Sequence, residues 1–80
     1  MLVDVTSVKP LPGYKLLLAF EDGKQGVYDV GPLLKEGVFG RLQNTAFFDQ
    51  ASVELGSVVW PGGLDIAPET LWEGCEPIST

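Results

Sequence analysis

Residues 14–20 place apolar side chains on both faces of an extended chain. Tyr14, Leu16, Leu18 and Phe20 fall on one face, and Leu17 and Ala19 on the other. A strand of that kind belongs in the middle of a covered sheet. Upstream, Val3, Val5 and Val8 are spaced by Asp4, Thr6 and Ser7, which predicts a strand from Leu2 to Val8. The following Lys9-Pro10-Leu11-Pro12-Gly13 reads as a stiff connection, because two prolines in three residues rule out a helix. Downstream, Glu21-Asp22-Gly23-Lys24 has turn chemistry, and Gln25 to Val30 returns antiparallel. These segments predict a β-meander.

After residue 30 the spacing becomes helical in short pieces. Pro32 suits a first helical position, with Asp29 as a cap and Leu33 and Leu34 following. Val38, Phe39 and Leu42 continue at helical intervals, and Asn44 can cap a turn carrying Ala46, Phe47 and Phe48. Such short pieces need the sheet to hold them, so Phe39, Leu42, Phe47 and Phe48 are expected to form the helical half of the core.

Residues 51–55 and 57–60 predict a second hairpin, or one longer strand bulged at Gly56. The block from Trp60-Pro61-Gly62-Gly63 through Leu64-Asp65-Ile66 to Pro68 and Glu69 then reads as a rigid, aromatic-led turn before a terminal helix over 68–73. Gly74 is its expected terminator. Trp60 is read as a core plug, with ligand stacking as the alternative. Asp65 either caps the terminal helix or accepts amides of the turn, and Asp65 and Glu69 would share a face if the helix began early. The candidate structural or interaction turn is therefore Trp60, Pro61, Gly63, Asp65 and Glu69. The fold class predicted is α+β: an antiparallel meander, short helical turns, a second hairpin and a short C-terminal helix on the sheet. It makes one domain over 1–74, with 75–80 as a tail.

Composition narrows the function more than it identifies it. Eleven carboxylates stand against Lys9, Lys15, Lys24, Lys35 and Arg41, a formal charge of −6 with no basic run. Nucleic-acid binding needs clustered cations, so it is not expected. Hydrophobic residues make up 45% of only 80, which is rich for a small domain and suggests that some serve an interface. No segment approaches a membrane span, and the single cysteine, Cys75, excludes an internal disulfide framework; a cytoplasmic location is expected.

Catalytic chemistry finds little to work with. Without histidine the common triads and the usual zinc sites have no members. Ser7 and Lys9 are the nearest approach to a serine–lysine pair, but they lie outside any recognisable motif. Paired carboxylates would need a sugar-sized cleft that so short a chain can hardly wall. No calcium-loop pattern is present. No enzyme activity, metal or cofactor is expected.

The order of these pieces resembles the bacterial family called domain of unknown function 2442. The similarity runs through Val5 to Val8, Gly13-Tyr14, Phe20-Glu21-Asp22-Gly23, Asp29, Pro32-Leu33-Leu34, Gly37-Val38-Phe39, Leu42 and Phe48. It ends in Trp60-Pro61-Gly62-Gly63-Leu64-Asp65-Ile66-Ala67-Pro68-Glu69-Thr70-Leu71, with Gly62 where asparagine is frequent. The resemblance implies a small α+β domain. Some members look like the small partner in a toxin–antitoxin-like pair, and others precede a helix-turn-helix, a second domain not found in these residues. The leading expectation is a non-enzymatic protein-interaction module, antitoxin-like toward a neighbouring gene product. The alternatives are a self-associating domain and a small-ligand binder at the Trp60 to Asp65 turn. The self-associating form is most simply a homodimer that uses one apolar stripe twice, or an unpaired edge of the first or last strand, where Leu2 and Val3 carry few charges to discourage pairing.

Overall fold

Seven short strands form two antiparallel sheets around one core in the computed structural model, which describes residues 3–78. The first sheet contains β1 (Val5–Leu11), β2 (Lys15–Phe20), β3 (Gln25–Asp29) and β7 (Glu76–Pro77), in the order β1-β2-β3-β7. The second contains β4 (Ser52–Glu54), β5 (Ser57–Trp60) and β6 (Leu64–Ile66), with β5 in the middle. Two 3-10 turns, Gly31–Lys35 and Gly37–Gln43, and the single-turn helix α1 (Thr45–Phe48) connect the sheets. Helix α2 (Pro68–Gly74) leads from β6 to β7. The fold class is α+β.

The alternation of β2 decides where the core lies. Leu16, Leu18 and Phe20 are buried and share one cluster with Leu42, Phe48 and the inward side chains of the second sheet. Of the residues expected from the helical half, Leu42 and Phe48 are fully enclosed, while Phe39 and Phe47 are half-buried against them. β2 is central, as its sequence predicts, but covered on one face only. Leu17, Ala19 and Val27 are half-buried and stand outside the core cluster.

The first strand departs from its predicted range. It begins at Val5, so Val3 precedes it and Leu2 lies outside the described residues. It also runs through Lys9-Pro10-Leu11 rather than stopping before them. Pro10 is accepted because β1 is the outer strand of its sheet, where a missing N–H need not break a ladder. The link to β2 is only Pro12-Gly13-Tyr14, with Gly13 and Tyr14 both at positive φ. Tyr14 holds this left-handed conformation (φ 61°) through tertiary contacts. Its hydroxyl donates to the Gln43 carbonyl, and its ring meets Phe48 edge-on at 5.5 Å between centroids.

Asn44 caps its turn as expected, whereas the N-cap of the first 3-10 turn is Val30, without a side-chain hydrogen bond, and Asp29 stands one residue before it. The Asn44 side chain accepts the Phe47 amide at 3.2 Å, and Asp29 accepts the Gly31 amide at 2.8 Å where the first 3-10 turn starts. Gly56 is the turn of a true hairpin, with Glu54 opposite Ser57, rather than a bulge. The stretch after Gly74, read as a tail, joins the sheet instead. Cys75 is buried, and Glu76 and Pro77 pair with Val27 and Gly26. Two glycines permit this docking: a Cβ on Gly26 would stand 2.6 Å from Cys75 Sγ, and one on Gly74 would stand 2.7 Å from the Tyr28 ring. Gly74 is thus the last helical residue and a point of close approach, while Cys75 takes the capping position.

Candidate interaction surface

The block from Trp60 to Glu69 divides among three elements. Trp60 ends β5, Pro61-Gly62-Gly63 makes a three-residue hairpin loop, and Leu64-Asp65-Ile66 is β6, a strand the sequence reading took as part of the turn. Gly62 and Gly63 both have positive φ (90° and 85°), so the loop requires two residues free of a Cβ penalty in succession. Register places Trp60 opposite Leu64, and both point into the core. Trp60 is 3% exposed, and its Nε1 donates to the Phe48 carbonyl at 2.9 Å, which ties the second sheet to α1. It is a core plug; its buried ring offers no face for stacking a ligand.

Asp65 does not perform either structural role expected of it. It sits in the middle of β6 with its side chain outward and exposed, opposite Val59. The N-terminal cap of α2 is Ala67, without a side-chain hydrogen bond, and Pro68 occupies the first turn. Asp65 and Glu69 fall on a strand and a helix respectively, so they share no helical face. Glu69 is exposed in the first turn of α2, where its charge favours the helix dipole. Pro61 and Gly63 are exposed on the loop, and Arg41 approaches it: a Cβ on Gly62 would meet the Arg41 guanidinium at 3.0 Å. Beside the loop is a shallow groove lined by Glu54, Val59, Trp60, Gly63, Leu64 and Asp65. Its charged groups are the carboxylates of Glu54 and Asp65. Among the described residues no three His, Cys, Asp or Glu side chains gather to hold a metal ion.

A second tryptophan, Trp72 in helix α2, organises the other end of the molecule. The Trp72 indole donates to Asp22 Oδ2 at 3.0 Å. Lys24 Nζ lies 4.0 Å from the ring centroid and donates to the Trp72 carbonyl at 2.7 Å. Asp22 Oδ1 also accepts the Lys24 amide, so the β2–β3 turn clamps α2. Only the Asp-Gly turn signal marked these residues in the sequence; their partnership spans about fifty positions and leaves no local trace.

Apolar side chains outside the core complete the surface. Leu55, at the tip of the β4–β5 hairpin, is 94% exposed and holds a left-handed backbone (φ 52°). The outer face of the first sheet carries Leu11, Leu17, Ala19 and Val27 by register, and Ile78 follows β7 at 40% exposure. Of the edge expected at Leu2 and Val3, Val3 is buried before the strand begins and Leu2 lies outside the described residues. No helix of the described residues is long and apolar enough to cross a membrane.

A family model described as "Protein of unknown function (DUF2442)" matches residues 5–77. No curated protein and no solved structure matches the chain.

Proposed function

Since the chain belongs to the DUF2442 family, whose description assigns no activity, we propose from its surface that it is a non-catalytic protein-interaction module. The observation that carries this reading is the outer face of the first sheet, where Leu17 and Val27 lie at the centre of a strand ladder yet outside the core. Leaving such residues at the surface costs a small domain core material, a cost that association offsets. The exposed Leu55 points the same way, because an apolar side chain in a strained hairpin turn does nothing for folding.

Two forms of the reading differ in partner. In the antitoxin-like form the partner is the product of a neighbouring gene, within a bacterial cytoplasm. The −6 charge supports a basic partner, steering encounter while apolar contact sets the residence time. In the second form the partner is another copy of the chain, which the charge pattern of the outer sheet face favours.

Co-expression with the adjacent open reading frame, followed by purification through a tag on this chain, tests the first form. Sedimentation across a concentration series tests the second. Co-purification or a mass above 8.6 kDa supports the module reading. A monomer that never retains its neighbour would overturn it.

A further inference from the structure

We propose that the outer face of the β1-β2-β3-β7 sheet seats a second copy of the same chain, face to face, about a two-fold axis parallel to the strands. This inference rests on the interaction-module reading and supplies its partner, surface and geometry.

Strand register lays the face out in rows. One row reads Lys9, Leu17, Val27 and Glu76 across β1, β2, β3 and β7. The next reads Leu11, Lys15 and Asp29, and the row on the other side reads Ser7, Ala19 and Gln25. Ile78, whose amide donates to the Gln25 carbonyl at 2.9 Å, extends that last row. The positive charges therefore stand on β1 and β2 and the negative charges on β3 and β7, with Leu17 and Val27 between Lys9 and Glu76 in the first row and Lys15 beside Asp29 in the next.

That division selects one symmetry. A two-fold axis running along the strands between β2 and β3 exchanges left and right within each row. Lys9 of one copy then faces the partner's Glu76, Lys15 faces the partner's Asp29, and Leu17 faces the partner's Val27. An in-plane axis across the strands would instead set Lys9 against Lys9 and Glu76 against Glu76. Like charges placed directly opposite are unfavourable, so the pattern favours the first arrangement.

Shape agrees with charge. Under the same operation Leu11 on β1 passes over the position beside β7. There Lys15, Val27, Asp29, Gly74 and Glu76 line an open hollow of about 200 Å³. The hollow opens on the outer face of the sheet, so a partner's leucine can enter, and symmetry provides the exchange twice. The edges of the sheet are less suited to pairing. β1 carries Pro10 and a register shift between Val5 and Ser7, and β7 is only two residues long.

The face is small. Four strands at ~4.8 Å spacing and three rows at ~6.8 Å give roughly 400 Å² per copy, or about 800 Å² in total, below the standard interface size. The dimer is accordingly weak and concentration-dependent, and it forms by sheet packing rather than strand addition.

Charge reversal tests the geometry. K9E alone and E76K alone should each weaken self-association about tenfold, because symmetry turns two attractive pairs into two repulsive ones. Mixing the K9E and E76K chains should restore association as a heterodimer, and K9E/E76K in one chain should restore the homodimer. Circular dichroism of each variant should match the parent, since Lys9 and Glu76 are exposed. Sedimentation equilibrium up to about 1 mM covers the affinity range of so small an interface. If the parent associates and none of the reversals alters its affinity, the face is wrong while the module reading survives. A parent that stays monomeric throughout also overturns the face, and the co-expression experiment then decides the module reading by itself.

Discussion

The two tryptophans anchor opposite ends of the fold by different physics. Trp60 is enclosed, packs at 6.1 Å from Phe48 between ring centroids and spends its one donor on a backbone carbonyl inside the core. Trp72 is half-buried and held from outside by Asp22 and Lys24. The Trp60 region gains stability from area removed from water. The Trp72 region gains it from a turn reaching across to grip a helix. The difference teaches that the conspicuous Trp60 is a packing device, while the sparse Asp-Gly-Lys turn fixes tertiary geometry.

The sharpest way to break the comparison is truncation. Trp60→Ala should cost about 3–5 kcal/mol, a large part of the ~4–12 kcal/mol expected for a chain of this size. Chemical denaturation measures it, and a midpoint equal to the parent's would mean that the second sheet does not depend on this indole. Asp22→Ala should cost less, about 0.5–1.5 kcal/mol, because the bonds it loses are exposed to water. Its effect should appear as altered Trp72 fluorescence before any global change. A loss matching that of Trp60→Ala would erase the distinction between plug and clamp.

What the residues of each region disclosed follows the same division. Alternation placed β2 in the middle of its sheet, and Asn44 announced its cap, because both signals lie within a few positions. Pro10 misled in the β1 reading, since proline's exclusion from strands does not hold at a sheet edge. β6 escaped notice because three residues between a loop and a proline carry no readable period. Asp65 looked like a cap from its distance to Pro68, but the intervening strand turns its carboxylate outward. The Trp72 clamp and β7 depend on partners near residues 22–28, and no local pattern encodes such a pairing.

Asp65→Ala therefore sharpens the comparison at its weak end. Its outward carboxylate contributes no cap, and the expected change is within about 0.5 kcal/mol. An unchanged denaturation midpoint with lost partner binding would assign the groove beside it to recognition. A cost near 2 kcal/mol would restore a structural role.

The smallest effect concerns pH and belongs to the Trp72 end. Burial, aided by the neighbouring Asp29 charge, raises the Tyr28 hydroxyl above its ordinary pKa of 10.0. The folded state therefore holds that proton more tightly than the unfolded chain does. The associated stability is complete below pH 10 and is lost as pH rises through the folded value. Tyr28→Phe should flatten the corresponding part of the alkaline stability curve. An identical curve in the variant would remove Tyr28 from the account.

The pairing of β3 with β7 also implies an order of assembly. The β1–β2 and β2–β3 hairpins close over short stretches of chain, whereas β7 must return across about fifty residues to reach Gly26 and Val27. Loop-closure entropy delays such contacts, so the meander should form while one flank is still unoccupied, and the returning segment should be the first to detach under native conditions. In native-state hydrogen exchange, the amide of Ile78, bonded to Gln25, should exchange through a lower-energy opening than the amides within the β1–β2 ladder. Equal opening energies would instead make the sheet a single cooperative unit. In kinetic terms, β7 is a late latch on a scaffold that is already standing.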